Sequence, residues 1–481
     1  MDPRDITEER IVAIGESLVG KTPNELGFQE WKKRVSPKGK GLIGSFIEQG
    51  IYGIPANTDE GPDFRTAKIE LKVTPIIKKG EKKKALFPLR AKERLQLHTM
   101  DFFEDYKFTL FTSPLWKKCE KIYCIFYEYI KGIDEGEFPI RFARLLSFDS
   151  EDLQIISADY DRVSSTIKKG ECHHLNETDY DYLTPSPTGG KKEKNLTSQP
   201  FADIKAPRRR WAYKSSFMTF KEEQWFGASS VGHITRNPED IKNKGIIALI
   251  KSKTDKYIGK SIREIANSLC IAIKPNKKYI QRNGGGIDSE DFSKATATLV
   301  FRAMLGLKKG QLSELEAANI HLRTQWVFPN NQSQEPFPLG GVFHYKDIIQ
   351  TPFEDSEIYE WLHKIYIIAN WKLSPEIKKP QLIFAGFKTL RIPEEDIETF
   401  CRDTYETTVS HIKQGIIIDD PEKNKTALPL TGFNGVMFVK PHAANGFKMD
   451  PLPVPDVKTG QTEFGLRGFW LTSKYVKERS K

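Results

Sequence analysis

A short pattern of acidic and basic residues stands out in the first part of the chain. Pro62-Asp63 is followed, after six residues, by Glu70-Leu71-Lys72. Hydrolysis of a phosphodiester needs a hard cation, held by oxygen ligands, that polarises the phosphate and lowers the pKa of the attacking water. Asp63 and Glu70 can supply carboxylate ligands, the carbonyl of Leu71 is a natural third, and Lys72 can orient the water or stabilise developing charge. The pattern is typical of a Mg²⁺-dependent nuclease site.

The elements around this pattern can be predicted from the spacing of apolar residues. Residues 66–76 alternate between apolar and charged side chains, which predicts a strand that carries Glu70 and Lys72 on one face. Residues 41–50 carry an apolar stripe at helical spacing with Glu48 beside it, so a further carboxylate can reach the site. The apolar run at 121–130 predicts a buried strand. On these residues alone, a solvent-facing amphipathic strand without chemistry remains an open alternative.

Composition limits the class of protein. With 481 residues the chain is too long for one core, so two or more domains are expected. Lys and Arg (74) outnumber Asp and Glu (64), and the net charge of +10 suits a polyanionic partner without proving one. Five cysteines without a CxxC pair argue against a disulfide framework. The acidic N-terminus and the lack of a long apolar run predict a soluble, intracellular protein.

The second half of the chain repeats landmarks of the first. GKSIREIA at 259 echoes GKTPNELG at 20, ANIHLRTQWV at 318 echoes AKIELKVTPI at 67, and HKIYIIA at 363 echoes EKIYCIF at 120. Similar landmarks in the same order predict a tandem duplication. We expect a first domain at 1–230, a linker at 231–245 and a second domain at 246–481. Within the first domain, the Pro-, Gly- and Lys-rich text from 184 to 210 predicts a long basic loop or a pair of loops.

Two segments of the first half resemble a known family. Residues 39–76 and 117–126 are similar to the MutH mismatch-repair endonuclease and the GATC-cutting type II restriction enzymes related to it. Those enzymes carry a glutamate on a helix, the spaced Asp and Glu-x-Lys, and a further lysine before a buried strand. The resemblance assigns these roles to Glu48, Asp63, Glu70, Lys72 and Lys118. Since the restriction enzymes consist of two tandem MutH-like domains, it also implies an α/β fold of two restriction-endonuclease-like domains, each a mixed β-sheet flanked by helices.

The same family has a DNA-reading loop of the form LRPKAAN, followed by a strand of the form RGFYL. The second half has VKPHAAN at 439–445 and RGFWL at 467–471, which implies DNA contacts by Lys440, His442 and Arg467. The first half departs from this pattern, since Thr184 and Ser186 replace the basic residues and cannot make the bidentate contact of Arg with guanine. There the expected DNA-binding residues are Thr184, Ser186, Arg209, Arg210 and Lys214.

The second copy has lost the catalytic residue types. His321 stands for Glu70 and Arg323 for Lys72, while Glu314, Ala303 and Trp361 stand for Asp63, Glu48 and Lys118. Arginine keeps its proton and histidine is a poor ligand for Mg²⁺, so this copy should not hydrolyse DNA. It is expected to be a second, non-cleaving DNA site that raises avidity or acts as an allosteric effector.

These observations lead to one expectation and two alternatives. We expect a bacterial, cytoplasmic type II restriction endonuclease that cuts both strands at GATC, before the G, with Mg²⁺ as cofactor. Its partner is double-stranded DNA, with two DNA sites bound at once, and it is a monomer in solution whose dimerisation on DNA is left open. A strand-nicking repair enzyme is disfavoured by the duplication. A DNA-binding regulator without catalysis is disfavoured by the complete Asp63, Glu70 and Lys72 set.

Overall fold

The computed structural model describes most of the chain, namely residues 2–35, 41–55, 61–78, 88–188, 195–226, 245–273, 292–307, 314–327, 336–373, 382–441 and 448–481. The chain divides into two compact units. The first unit comprises Met1–Lys253 with Leu305–Asn319, and the second comprises Thr254–Met304 with Ile320–Lys481. The linker expected at 231–245 lies outside the described residues except for its last residue, and the domain boundaries stay a prediction.

The helices follow the apolar spacing of the sequence. In chain order they are α1 (Glu8–Leu18), α2 (Phe28–Val35), α3 (Leu42–Ser45), α4 (Pro114–Cys119), α5 (Ser150–Lys168), α6 (Ser215–Trp225), α7 (Gly245–Thr254), α8 (Ile262–Ser268), α9 (Lys294–Met304), α10 (Glu314–Ala317), α11 (Tyr345–Ile348), α12 (Glu357–Leu362), α13 (Glu394–Asp396), α14 (Arg402–Lys413) and α15 (Ser473–Arg479). Two π-helices extend them: Phe46–Ile51 continues α3, and Ile397–Cys401 joins α13 to α14.

The strands form several small sheets. They are β1 (Ile69–Lys78), β2 (Leu89–Ala91), β3 (Leu95–Thr99), β4 (Lys121–Glu128), β5 (Ile140–Leu146), β6 (Leu183–Pro187), β7 (Leu196–Gln199), β8 (Ala202–Pro207), β9 (Arg209–Tyr213), β10 (Ile320–Val327), β11 (Phe337–Phe343), β12 (Ile365–Leu373), β13 (Leu382–Leu390), β14 (Ile418–Asp420), β15 (Lys425–Thr426), β16 (Met437–Pro441), β17 (Met449–Pro451), β18 (Glu463–Gly465) and β19 (Arg467–Leu471). Sheets that mix parallel and antiparallel strands, flanked by helices, confirm the predicted α/β class.

The first unit is built on a sheet of order β2-β1-β4-β5, in which β1 and β4 are parallel. Its core includes apolar side chains from α1 and the central strands, such as Ile11, Ile69 and Ile125. Gly15 on α1 faces Tyr123 of β4, and a Cβ at Gly15 would overlap the tyrosine ring. The hydroxyl of Tyr123 donates to the carbonyl of Val12 at 3.2 Å. This close approach fixes α1 against the strand that neighbours β1.

The prediction of a long basic loop or a pair of loops from 184 to 210 is wrong for the residues that the structure describes, since most of them lie in four strands. β6 and β9 pair antiparallel in a second sheet of order β3-β9-β6, and β7 and β8 form a hairpin between them. Phe201, at φ 65°, lies in the turn of that hairpin. Prolines and lysines are usually taken as signs of a loop, so these strands are not evident from the sequence. Short strands at the edge of a sheet nevertheless tolerate both residue types.

The second unit has a similar but smaller sheet, of order β10-β12-β13. Its β10 and β12 are parallel, as β1 and β4 are in the first unit, and β13 pairs antiparallel with β12, as β5 does with β4. A further sheet has the order β11-β19-β16, in which the last strand in sequence is central, as β9 is in the first unit. Its core is separate from that of the first unit and includes Tyr366, Met437 and Phe469. This common topology supports the tandem duplication.

Among the helices in the described ranges, none is both long and apolar enough to cross a membrane.

Candidate active site

Glu70 and Lys72 lie at the start of β1, where the sequence predicts them on one face. The main chain turns sharply just before β1, and Phe64 and Ile69 form an isolated antiparallel bridge across that turn. Ile69 and Leu71 point into the core of the first unit, and both are fully buried. Glu70 is also buried, with only 2% of its surface exposed. This burial excludes the alternative of a solvent-facing strand, because a carboxylate is not buried at random.

Asp63 is held beside Glu70 by the turn that the bridge closes. The backbone N–H of Asp63 donates to Oε2 of Glu70 at 3.3 Å. The backbone N–H of Leu71 donates to Oδ2 of Asp63 at 2.9 Å. The carboxylate of Glu70 is therefore bound by the backbone of Asp63, and the carboxylate of Asp63 is bound by the backbone of the residue that follows Glu70. The six-residue spacing in the sequence produces this arrangement.

Two lysines approach the same carboxylate. Nζ of Lys72 lies 2.6 Å from Oε1 of Glu70, and Nζ of Lys118 lies 3.8 Å from the same atom. Lys118 is carried by α4, which begins at the N-cap Ser113 and ends just before β4. The structure thus places Lys118, which the family resemblance assigns to the active site, beside the carboxylate of Glu70.

Glu48 comes to the site from the π-helix Phe46–Ile51. A single wide turn of this kind is often found at functional sites. Burial, then the nearby charge of Asp63, raises the pKa of Glu48 to about 7, although Lys72 opposes the shift. Burial also raises the pKa of Glu70, against the attraction of Lys72. Burial lowers the pKa of Lys72, but the neighbouring Glu70 outweighs this effect and the net shift is upward.

The side chains suit a divalent cation. Three carboxylates share a partly buried pocket, and their mutual repulsion contributes to the raised pKa of Glu48. A bound cation would reverse this repulsion. Within the described ranges, however, no three Asp, Glu, His or Cys side chains form a ready metal site by themselves. Asp63 and Glu70 therefore need the carbonyl of Leu71 or water to complete a coordination shell, which is common for Mg²⁺.

Sequence reasoning missed Cys119 as a neighbour of the site. It is buried at the end of α4, and burial raises the pKa of its thiol to about 12 while Lys72 opposes this. A protonated, uncharged thiol next to the lysine lines the pocket without competing for a metal. Its position directly after Lys118 is the one signal in the sequence that points to it.

The DNA-binding residues expected in the first unit are mostly not available to DNA. Thr184 is fully buried and donates to the carbonyl of Glu177 at 3.1 Å, and Ser186 is buried and accepts from Gln96 at 3.1 Å. These expectations are corrected, because short polar side chains on β6 face the protein interior.

The basic candidates of the same region divide into two groups. Arg209 donates to the carbonyl of Leu175 at 2.6 Å, and the buried Lys214 donates to the carbonyl of Tyr180. Both hold the protein together rather than facing a ligand. Arg210 is exposed on β9, and it remains a candidate for contact with a phosphate.

In the second unit, the three expected DNA contacts also have different placements. Lys440 is exposed at the end of β16, with Nζ 5.3 Å from the centre of the Trp470 ring. Arg467 is fully buried, and its guanidinium donates to the carbonyl of Gly465 at 2.7 Å and to Oδ1 of Asn424 at 2.7 Å. It supports the strand and cannot read a base, which corrects that expectation. His442 lies outside the described residues.

The second copy of the catalytic positions contains no carboxylate cluster in its described part. The ring of His321 contacts that of Trp361 at a centroid distance of 4.9 Å. Arg323 lies with its guanidinium carbon 5.7 Å from the centre of the same Trp361 ring. Glu314, the counterpart of Asp63 in sequence, is buried in α10 and belongs to the first unit. The pKa of Tyr182 is raised mainly by burial, and the charge of Glu314 adds to this shift. This arrangement is unsuited to Mg²⁺.

Comparison with known proteins gives two matches. Residues 52–159 match the sequence model of the family described as "DNA mismatch repair enzyme MutH". This range includes Asp63, Glu70, Lys72 and Lys118. The chain is also 27% identical over 506 aligned positions to the "Type II restriction enzyme Sau3AI" of Staphylococcus aureus, with 98% of each chain covered. The similarity therefore extends through both units.

Proposed function

Because the chain is a MutH-like restriction endonuclease, a site-specific deoxyribonuclease, we propose that it hydrolyses both strands of duplex DNA at 5′-GATC-3′ in a Mg²⁺-dependent reaction. Cleavage before the G leaves 5′ overhangs. The GATC site is supported by the resemblance of the sequence motifs to the GATC-cutting enzymes. The observation that carries the reaction type is the convergence of Asp63 and two lysines on the buried carboxylate of Glu70.

In this proposal each residue of the first unit has a distinct task. Asp63, Glu70 and the carbonyl of Leu71 would hold Mg²⁺, which would lower the pKa of a water molecule and polarise the phosphate. Lys72 holds the attacking water near Glu70 and stabilises the charge that develops on the phosphate. Lys118, farther from Glu70, neutralises charge on the phosphate or on the leaving oxygen. Glu48 adds a carboxylate at the edge of the metal site.

The second unit serves as a non-cleaving DNA site that acts as a tether or an allosteric effector. Its support is the replacement of Glu70, Lys72, Glu48 and Lys118 by His321, Arg323, Ala303 and Trp361, together with the retained VKPHAAN and RGFWL motifs. Exposed Lys440, next to Trp470, is its best placed DNA contact in the described part. A second bound site raises the local concentration of DNA at the first. Two DNA sites would then be bound at once by a monomer, with dimerisation on DNA as a separate question.

We place the enzyme in the bacterial cytoplasm, where it would meet foreign DNA. The support is its bacterial relative, a restriction enzyme, together with the absence of a spanning helix among the described helices.

The proposed function is tested by digesting unmethylated plasmid DNA with the full-length protein, with and without Mg²⁺, and sequencing the ends. The expected result is cleavage at every GATC, before the G, only when Mg²⁺ is present. A matched plasmid in which each GATC is changed to GTAC serves as the control. Nicks in one strand, or cleavage of the control plasmid at an equal rate, would contradict the proposal.

A further inference from the structure

Arg323 occupies the position in the second unit that Lys72 occupies in the first. In the first unit Lys72 lies opposite Cys124 in the parallel pair of β1 and β4. In the second unit Arg323 lies opposite Ile368 in the parallel pair of β10 and β12, two residues after His321. β10 runs parallel to β12 as β1 runs parallel to β4, and Arg323 follows His321 by two residues as Lys72 follows Glu70, so Arg323 stands where the first unit would act on a phosphate.

The surroundings of Arg323 lack the acidic groups of the active site. Its guanidinium lies near two aromatic rings, with its carbon 5.7 Å from the centre of Trp361 and 5.6 Å from that of Phe337. One terminal nitrogen donates to the carbonyl of Pro338 at 3.2 Å. Within the described part of the chain, its buried Nε has no hydrogen-bond partner and its guanidinium makes no ion pair. Burial lowers the pKa of Arg323, and no carboxylate contributes to that shift.

Such a placement is energetically costly for the free protein. A guanidinium that is largely removed from water normally has a carboxylate to offset the loss of hydration. The side chain of Arg323 is nevertheless partly accessible at the surface. Its aromatic walls limit the movement of the planar group and keep water away from its faces, which strengthens a charge-assisted hydrogen bond to an incoming anion.

The position of the Trp361 ring beside Arg323 depends on the backbone at Gly340. Gly340 in β11 has φ +66°, and a Cβ there would lie 2.6 Å from Cδ1 and Nε1 of Trp361. The indole can therefore lie against the backbone only because residue 340 is glycine. Trp361 stands at the position of Lys118, so the aromatic wall replaces the second catalytic cation.

We propose that Arg323 binds a phosphodiester oxygen of duplex DNA directly, so that the former active site of the second unit is a phosphate-binding site that needs no metal. The inference deepens the proposed function of the second unit as a DNA site and rests on it. In the first unit the phosphate would meet a cation held by carboxylates. In the second unit the fixed charge of Arg323 takes the place of that cation, and the chemistry is lost while the phosphate contact is kept.

The test uses the full-length protein without divalent metal, in the presence of EDTA, and fluorescent GATC duplexes titrated over a range of salt concentrations. Arg323→Met is expected to weaken the second binding event about tenfold or more, since a hydrogen bond to a charged group is lost. The slope of log K against log salt should fall by about one for that event. Arg323→Lys should keep the slope but lose part of the affinity. Lys413→Met, which removes an exposed positive charge, is the matched control.

Thermal unfolding separates binding from a structural role. If Arg323 is maintained for DNA, Arg323→Met should melt at a temperature no lower than wild type, because an unpaired buried charge has been removed. A variant that melts earlier but binds both duplexes normally would overturn the inference. Binding of a single duplex by the wild type would also overturn it, whereas the nuclease proposal is judged separately by cleavage at GATC.

Discussion

Asp63 and Glu70 are locked together through the backbone, since the N–H of Asp63 donates to Oε2 of Glu70 and the N–H next to Glu70, that of Leu71, donates to Oδ2 of Asp63. The two carboxylates therefore keep a fixed separation before any metal arrives. Preorganisation of this kind reduces the reorganisation that metal binding would otherwise require.

Lys72 should be more important for the reaction than Lys118. Lys72 lies 2.6 Å from Glu70 and Lys118 lies 3.8 Å from it, so Lys72 is closer to the place where water would be activated. We expect Lys72→Ala to lower the single-turnover cleavage rate about 100-fold or more, with only a modest change in Mg²⁺ affinity. Lys118→Ala should have a smaller effect.

The control for both variants is Lys117→Ala, which changes an exposed lysine on the same helix. Rates are measured at several Mg²⁺ concentrations, so that metal affinity and rate are separated. A Lys72→Ala enzyme that binds Mg²⁺ poorly yet reaches the wild-type rate at saturating Mg²⁺ would contradict the role assigned to this lysine.

Lys440→Ala should weaken DNA binding and slow cleavage without altering the chemistry. Lys440 is exposed at the end of β16, just before the rest of the VKPHAAN motif. Loss of one specific base contact costs about 1–3 kcal/mol, which a titration resolves. The rate within the bound complex should stay unchanged, since the first unit is intact. Equal affinity of Lys440→Ala and wild type for GATC duplex would show that this lysine does not contact DNA.

Replacement of Arg467, unlike that of Lys440, should lower the stability of the fold. Its buried guanidinium donates to the carbonyl of Gly465 and to Asn424, so it supports the strand that follows the motif. Arg467→Met is expected to lower the free energy of unfolding by about 2 kcal/mol or more, because buried acceptors lose a charged partner. Differential scanning calorimetry measures this change. If Arg467→Met melted like wild type but bound DNA more weakly, Arg467 would be a DNA contact and not a structural residue.

Asp105 should make the stability of the first unit depend on pH. It is buried and accepts from Nε1 of Trp211 at 2.8 Å, and burial raises its pKa from 3.8 to about 7, although the Trp211 hydrogen bond opposes this. The folded state thus favours protonated Asp105 more than the unfolded state does. Protonated Asp105 therefore contributes to the free energy of unfolding. This contribution is fully present below about pH 4 and is lost as the pH rises to about 7.

The comparison is between wild type and Asp105→Asn, whose side chain carries no charge at any pH. From pH 5 to 8 the melting temperature of wild type should fall relative to that of Asp105→Asn. Parallel profiles for the two proteins would show that Asp105 does not titrate in this range.

The parts of the site that could be predicted from sequence depend on local spacing. The alternation around Glu70 and Lys72 predicts their shared face, because a strand places every second residue on one side. The helix that carries Glu48 is also predicted, but its π-helical turn is not, since this requires a widened hydrogen-bonding pattern that apolar spacing does not encode.

The errors arose where distant parts of the chain meet. Ser186 and Arg467 are expected from the sequence to contact DNA, yet Ser186 accepts a hydrogen bond from Gln96 and Arg467 donates one to Asn424. Motif resemblance gives the position of a residue on a strand but not the partners that bury it. The strands between 183 and 213 were missed for a similar reason, because pairing of β6 with β9 joins segments that local composition describes as loop.

The assignment of the active site to Asp63 and Glu70 is tested most directly by the double variant Asp63→Asn/Glu70→Ala, assayed by single-turnover cleavage of a GATC plasmid with saturating Mg²⁺. Wild type and the exposed-carboxylate control Glu120→Gln are assayed in parallel, and duplex binding confirms that each protein is folded. We expect the double variant to bind the DNA as well as wild type, or more tightly, and to cut neither strand. Appreciable Mg²⁺-dependent cleavage by the double variant would show that the active site lies elsewhere in the protein.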